Sequence, residues 1–242
     1  MHHWQTILLS ILILASCSHQ EAVKPKPSAA KSERAQVAIK TMQGTMIVEL
    51  FNETPLHRDN FLKLVETGFY DSLLLHRVQA GFMVQGGDPD SRGIVPPEKR
   101  LGFGQTEQRI KAEINTQFIM RQGALCGYHM GLGMQADKSS NGSQFMLIHG
   151  QAIKAHQLNQ QSIKNKIEYS PKQIELYELY GGSPQLDGNY TIFGQIIEGM
   201  PVLNKIVRVP TFRSIDPQLP DRPIKDLRLE MRIIKEPKHV LN

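Results

Sequence analysis

Apolar and polar residues alternate from Val37 onward and predict that the folded part of the chain opens with a β-hairpin. Two strand-like runs make up VAIKTMQGTMIVELF, residues 37–51, and Gln43-Gly44 lies between them. Glycine readily adopts the backbone conformations that tight turns require, so Gln43-Gly44 is the expected turn.

A helical period follows in NETPLHRDNFLKLVETG, residues 52–68. Thr54 is a candidate N-cap, and Pro55 suits the first helical position because its missing N–H has no partner to lose there. Gly68 suits the end of the helix. The side chains expected to pack inward share one face: Phe61, Leu64 and Val65.

Further short strands are predicted in GSQFMLIHG, LDGNYTIFGQI and DLRLEMRII, with a long glycine- and proline-rich loop over residues 86–108. Many short strands and few helices favour a mainly β fold, either a closed antiparallel β-barrel or a sandwich. Residues 151–180 are polar with helical spacing and break at Ser170-Pro171. This segment predicts an insertion of two helices that projects from the main body.

The chain before Val37 differs in composition from the rest. Residues 1–16 contain an apolar run, Ile7 to Ala15, that is too short to span a bilayer and is typical of a secretory signal peptide. The following Cys17 completes LASC, which resembles a bacterial lipobox and predicts lipidation of Cys17. The alternative is an ordinary signal peptide with a chance cysteine. Residues 17–36, rich in Lys, Pro, Ser and Ala, predict a disordered tether.

These segments imply an exported protein. We expect a lipid anchor on Cys17 to hold it on a membrane, facing the periplasm or the cell surface, with a single folded domain over residues 37–236. A composition of 40% hydrophobic and 21% charged residues suits such a domain.

The charge of the chain and the absence of several sequence motifs exclude some classes of function. The net charge of +5 is spread along the chain, so we expect no nucleic-acid partner. The sequence has no phosphate-binding glycine loop, no dinucleotide-binding motif and no His-Glu-x-x-His. Cys126 has no cysteine at metal-ligand spacing and is expected to be a small buried apolar residue. We therefore expect neither a metal nor a cofactor.

Residues 70–88, YDSLLLHRVQAGFMVQGGD, combine a lone arginine, a Phe-Met pair, an amide and a glycine turn. This mixture indicates a half-apolar groove with one strong hydrogen-bond donor. It resembles the signature of cyclophilin-type peptidyl-prolyl cis-trans isomerases, and the chain looks like their bacterial lipoprotein members. NFLKLVETGFYD, AEI, NGSQFMLI and LDGNYTIFG occur in the family's order, so the resemblance runs from about Val37 to Ile234. It implies a closed antiparallel β-barrel capped by helices, with residues 151–180 as the main addition.

The resemblance also implies a site. Arg77 would be the catalytic residue, donating a hydrogen bond to the prolyl nitrogen in the twisted transition state. Gln85 and Gln144 would fix the substrate backbone and brace the arginine. Tyr190 stands where the family usually has a His, and Gln185 where cyclosporin-sensitive members have a Trp. The remaining residues match the apolar pocket for the proline ring: Phe82, Met83, Met146 and Leu186.

The expected partners are proline-containing polypeptides, bound by a monomer. Tyr128 and His129 are further candidates for the groove wall. Two alternatives stay open: a non-catalytic module that binds proline-containing segments, and a chaperone scaffold that works through the 151–180 insertion.

Overall fold

The computed structural model describes residues 33–104, 106, 108–131 and 137–236. The predicted signal peptide, Cys17 and most of the predicted tether lie outside these residues. The last part of the tether segment is described and packs with the domain. Ala35 is buried, its carbonyl oxygen accepts from Leu50 N at 2.9 Å, and the first strand begins at Gln36.

In the described part of the chain, eight strands form one antiparallel sheet, in the order β3-β4-β6-β5-β7-β2-β1-β8. The predicted hairpin is confirmed as β1 and β2, and the other predicted strands are present. The strands are β1 Gln36–Thr41, β2 Gly44–Leu50, β3 Leu75–Gln79, β4 Met83–Gly86, β5 Ala124–Gly127, β6 Phe145–Ile148, β7 Ile192–Glu198 and β8 Glu230–Lys235.

The expected closed barrel is wrong: the sheet curls into a half-barrel with β3 and β8 at its two edges. Leu75 N donates to Leu227 O at 2.9 Å, but Val78 N donates to Asp221 O at 2.8 Å. A step of three residues along β3 thus corresponds to a step of six residues in the segment before β8, so the two segments fall out of register. Pro223 in that segment also has no N–H to donate to a ladder. This excursion prevents a continuous ladder, and in the described residues the only β-bridge between the chain at β3 and the segment before β8 is that of Leu74 and Arg228.

The first helix, α1 (Pro55–Glu66), is confirmed with Phe61 and Val65 buried. Its N-terminus is capped differently from the prediction. The Thr54 side chain makes no cap, and instead the carboxylate of Glu113 accepts from Leu56 N at 2.9 Å and from His57 N at 3.0 Å. A carboxylate at this end also matches the positive pole of the helix.

The 151–180 insertion forms the two predicted helices, α2 (Ala155–Asn165) and α3 (Pro171–Tyr180). A fourth helix, α4 (Met200–Ile206), was missed, although its apolar positions recur at helical spacing. None of the helices in the described residues is long and apolar enough to cross a membrane. The insertion packs through its own small apolar cluster, separate from the main core: Ile119, Leu158, Tyr169 and Tyr177.

Strand periodicity positions the site. On β4, Val84 points into the main core, whereas Met83 lies on the opposite face. On β6, Leu147 points into the core and Met146 lies on that same opposite face. Because successive side chains of a strand alternate, the face away from the core carries the predicted site residues of both strands.

Candidate active site

An apolar cluster lies on the outer face of the sheet, and we call the patch formed by its half-buried members over the buried ones the apolar pocket. The structure brings together all five predicted apolar and aromatic residues of the site in one cluster. Met83 and Met146 are buried and form its floor, and the other three are half-buried and form its rim. The rim residues are Phe82 from the turn just before β4, Leu186 from a 3-10 turn, and Tyr190 from the segment before β7.

Arg77 lies beside this pocket because β3 is bulged. Leu75 pairs with Gly86 and Arg77 pairs with Gln85, so His76 is the extra residue between them. A bulge changes which face the following side chain occupies, and here it puts Arg77 in register with Gln85. The Arg77 side chain is 38% exposed.

The guanidinium of Arg77 is held by its own strand. Arg77 Nη2 donates to Gln79 Oε1 at 3.1 Å, and Gln79 Nε2 donates to Asp221 Oδ2 at 2.6 Å. Arg77 Nε lies 4.0 Å from the same Asp221 oxygen. Sequence reasoning missed Gln79 and Asp221. The signal for Gln79 was its position two residues after Arg77, on the same strand face.

Gln85 and Gln144 lie together but do not brace the arginine. Gln85 Nε2 donates to Gln144 Oε1 at 2.8 Å, and Gln144 Nε2 donates to Gly104 O at 2.7 Å. Both side chains are buried, and Gln85 Oε1 has no hydrogen-bond partner among the described residues. Burial and these two hydrogen bonds therefore hold the pair in place.

His76 is buried behind Arg77. Neither ring nitrogen makes a hydrogen bond of standard geometry to the residues described. Burial lowers the pKa of His76 to about 4, so the ring is neutral at pH 7. A neutral imidazole adds no charge next to Arg77.

Tyr128 and His129 both lie at the site. The ring of His129 stacks on Tyr190, with centroids 4.0 Å apart, and its Nε2 contacts Asn189 O at 2.9 Å. Tyr128 is half-buried against the apolar pocket. These two side chains thus form the wall next to Tyr190.

Two open cavities flank the pocket. One of about 620 Å³ lies next to Arg77, between β3, residues 99–103 and the segment 213–222. The other, of about 400 Å³, extends from Phe82 along α2. Five glutamines line this second cavity: Gln151, Gln157, Gln160, Gln161 and Gln185. Gln185 is exposed and stands at the position where cyclosporin-sensitive members of the family have a Trp.

Asp187 joins the insertion to the site, next to Leu186. Its Oδ2 accepts from the hydroxyls of Tyr169, at 2.7 Å, and Tyr177, and its Oδ1 accepts from Met120 N at 2.7 Å. Burial raises the pKa of Asp187 to about 6 despite these donors. The insertion is therefore fixed to the segment that carries part of the apolar rim.

The described residues contain no group of three or more His, Cys, Asp or Glu side chains that could hold a metal ion. Cys126 is buried, as expected, and burial raises the pKa of its thiol. Its Sγ contacts Met146 O at 3.7 Å, so the thiol packs under the pocket.

Known proteins resemble this chain over most of its length. The family model described as cyclophilin type peptidyl-prolyl cis-trans isomerase/CLD matches residues 36–230. A Staphylococcus aureus (strain USA300) protein named for peptidyl-prolyl cis-trans isomerase activity is 30% identical over 202 residues, which are 83% of this chain and 92% of the relative. A Streptococcus pyogenes protein named as a bifunctional phosphatase/peptidyl-prolyl cis-trans isomerase is 29% identical over 208 residues, or 81% of this chain and 37% of its own length.

Solved structures give the same result. A Cryptosporidium parvum cyclophilin type peptidyl-prolyl cis-trans isomerase superposes with a TM-score of 0.58 at 26% identity, covering 84% of this chain and 99% of that one. A second structure of that protein, in the presence of the dipeptide Ala-Pro, gives 0.57 at 25% identity, with 83% and 99% covered. The chain belongs to the cyclophilin-type peptidyl-prolyl cis-trans isomerase family.

Proposed function

We propose that this protein accelerates the cis–trans isomerisation of Xaa-Pro bonds in polypeptides, with Arg77 as the catalytic residue. The observation that carries the proposal is the placement of a half-exposed guanidinium beside an apolar pocket. Arg77 is in register with Gln85, two positions along β4 from the pocket floor at Met83. Two strand positions span about 7 Å, which is the scale of one prolyl residue.

The barrier to this rotation comes from amide resonance and is ~20 kcal/mol. In the twisted transition state the prolyl nitrogen loses that resonance and regains a lone pair. A donor aimed at this lone pair stabilises the twisted state more than either planar state, which is the requirement for catalysis. Arginine suits the role because its head stays charged at every physiological pH.

The pocket and the amides would hold the two ends of the reacting unit. The proline ring packs on Met83 and Met146, with Phe82 at the rim. The amides of Gln85 and Gln144 would hold the substrate backbone after a rotation of the Gln85 side chain, because Gln85 Oε1 is buried and has no partner in the described residues. The Ala-Pro dipeptide in the crystals of the Cryptosporidium parvum protein supports proline-containing peptides as the substrate class.

The proposal includes exported polypeptides as substrates. The support is the sequence alone: the apolar run before Cys17 and the lysine- and proline-rich segment after it. Spontaneous prolyl isomerisation takes tens to hundreds of seconds, roughly, and limits the folding of many proteins. Incorporation of radiolabelled palmitate by the parent protein, and its loss in Cys17→Ser, would test the anchor.

The experiment that tests the activity measures cis–trans exchange of a neutral Ala-Ala-Pro-Phe peptide by NMR with the full-length protein in mild detergent. The proposal predicts exchange far faster than the spontaneous rate. Peptide binding without acceleration would contradict it and would favour the non-catalytic binding module.

A further inference from the structure

The cavity of about 620 Å³ next to Arg77 is rich in positive charge. We call it the basic cavity. Asp221 is the only acidic residue in its described lining. The cationic residues of that lining are Arg77, Lys99, Arg100, Arg213 and Arg222.

Two of these cations are already paired. Arg213 Nε lies 2.5 Å from Asp221 Oδ1, and Arg222 Nη2 lies 2.5 Å from Asp226 Oδ1. Arg222 is also buried and donates to Val95 O at 2.9 Å. These two guanidiniums therefore shape the wall and contribute little free charge.

Besides Arg77, Lys99 and Arg100 carry the remaining positive charge of the cavity lining. Lys99 Nζ donates to the backbone oxygen of Asp90 at 3.1 Å, which is an uncharged acceptor. Within the residues described, neither Lys99 nor Arg100 forms an ion pair with a carboxylate. Both are exposed at the cavity. An anion entering here would meet two such cations beside Arg77.

Buried polar atoms that lack partners within the described chain also occur in residues of the cavity wall. Seven buried side-chain atoms lack partners in the described residues, and four of them belong to residues of this wall. They are Gln85 Oε1, Arg222 Nε and the two ring nitrogens of His76. Because these atoms have almost no exposed surface, an occupant of the cavity would meet the exposed cations rather than these atoms.

The occupant is constrained by the neighbouring site. A polypeptide with its proline at Arg77 advances about 3.3 Å per residue when extended. A side chain within three residues of the proline therefore reaches the basic cavity. Leu101, Phe103 and Pro220 also line it and would pack against the methylene groups of that side chain. The chemistry that fits both features is a carboxylate on a short apolar stem.

We propose that the basic cavity is a substrate subsite for an Asp or Glu side chain within three residues of the proline, held by Lys99 and Arg100. The proposal rests on the proposed function, because it takes the proline to sit at Arg77. It makes the protein selective for proline sites with an acidic neighbour.

The test uses the full-length protein in mild detergent and peptides of the form used above, extended at both ends. Glu, Gln or Lys is placed at each position from three before to three after the proline, and kcat/KM for isomerisation is measured. We expect one position at which the Glu peptide exceeds the Gln peptide by about fivefold. At that position the Lys peptide should be slower than the Gln peptide, and 0.5 M salt should reduce the differences.

Two double variants show whether Lys99 and Arg100 cause the preference for the Glu peptide. Lys99→Gln/Arg100→Gln should bring the Glu-to-Gln ratio close to one. Lys164→Gln/Arg208→Gln removes one lysine and one arginine that are exposed and lie outside the described lining, and it should keep the parental ratio. A ratio that survives in the first variant would overturn the proposal, because the preference would arise elsewhere.

The outcomes separate this proposal from the proposed function. Equal turnover of all Glu and Gln peptides would overturn the subsite and leave isomerase activity established. If no peptide is turned over, the proposed function fails, and calorimetric binding of the same peptides decides the subsite. Tighter binding of a Glu peptide that depends on Lys99 and Arg100 would support it, and equal binding would overturn it.

Discussion

Arg77 and Gln79, two residues apart on β3, are joined by a hydrogen bond of 3.1 Å from Nη2 to Oε1. Side chains at such a spacing share a face of the strand, so the arginine is anchored by its own strand. Gln79 is fixed in turn by Asp221, at 2.6 Å. The orientation of the proposed catalytic donor therefore depends on the segment that precedes β8.

Gln79→Ala should lower kcat/KM for a neutral Xaa-Pro peptide by about tenfold, because small misplacements of a catalytic group are costly. The Kd of the peptide should change little, since the apolar pocket is untouched. Exchange NMR gives the rate and calorimetry gives the Kd. Gln117→Ala, at an exposed position away from the site, is the matched control. A loss confined to Kd would contradict a positioning role.

The apolar part of this site could be predicted because its motifs resemble those of the cyclophilin family. Met83 and Met146 could be assigned to one pocket from their motifs alone, and the structure places them together. The bracing of Arg77 could not be assigned in this way. Gln79 and Asp221 are 142 residues apart, and their contact depends on the excursion of the chain before β8. The same excursion explains why the predicted barrel does not close.

The helical insertion was predictable from periodicity and from Ser170-Pro171, but its attachment was not. The attachment uses Asp187, which lies outside the insertion and reads in sequence as part of an Asp-Gly turn. Only the fold brings the hydroxyls of Tyr169 and Tyr177 to its carboxylate.

Tyr177→Phe should lower the free energy of unfolding by about 1–3 kcal/mol, because it removes a hydrogen bond to a buried carboxylate. Chemical denaturation at pH 7.5 measures this. Tyr180→Phe is the control on the same helix. Tyr180 is 52% exposed, and its ring lies 5.6 Å from the Arg121 guanidinium, a contact that phenylalanine retains. Equal effects of the two changes would show that the Asp187 contact is unimportant for stability.

Stability should also depend on pH through Asp187. Burial raises its pKa from 3.8 to about 6, so the folded protein binds this proton more tightly than the unfolded chain. The stabilisation of the folded state by this proton is fully present below pH ~4 and is lost as the pH rises through about 6. A difference of about two in pKa corresponds to about 3 kcal/mol. The parent should therefore lose stability relative to Asp187→Asn between pH 4 and 7.

His76 should have the opposite effect on the pH dependence of stability. Burial lowers its pKa from 6.5 to about 4, so its contribution is present above pH ~6.5 and is lost as the pH falls through about 4. His76→Gln should therefore lose less stability than the parent on acidification. Urea titrations of the parent and both variants at pH 4.5, 5.5, 6.5 and 7.5 would separate the two effects. Parallel profiles for all three proteins would contradict both assignments.

The most direct test of the account measures the isomerisation rate of a bound peptide and its Kd separately, for the parent and for Arg77→Ala. Exchange NMR at saturating and limiting peptide gives both quantities. We predict that the rate on the protein falls about 100-fold or more, as for loss of a transition-state donor, while Kd changes by less than about threefold. Arg208→Ala, at an exposed position distant in sequence, should match the parent in both. A parental rate on the protein in Arg77→Ala would contradict the central claim that Arg77 catalyses the rotation.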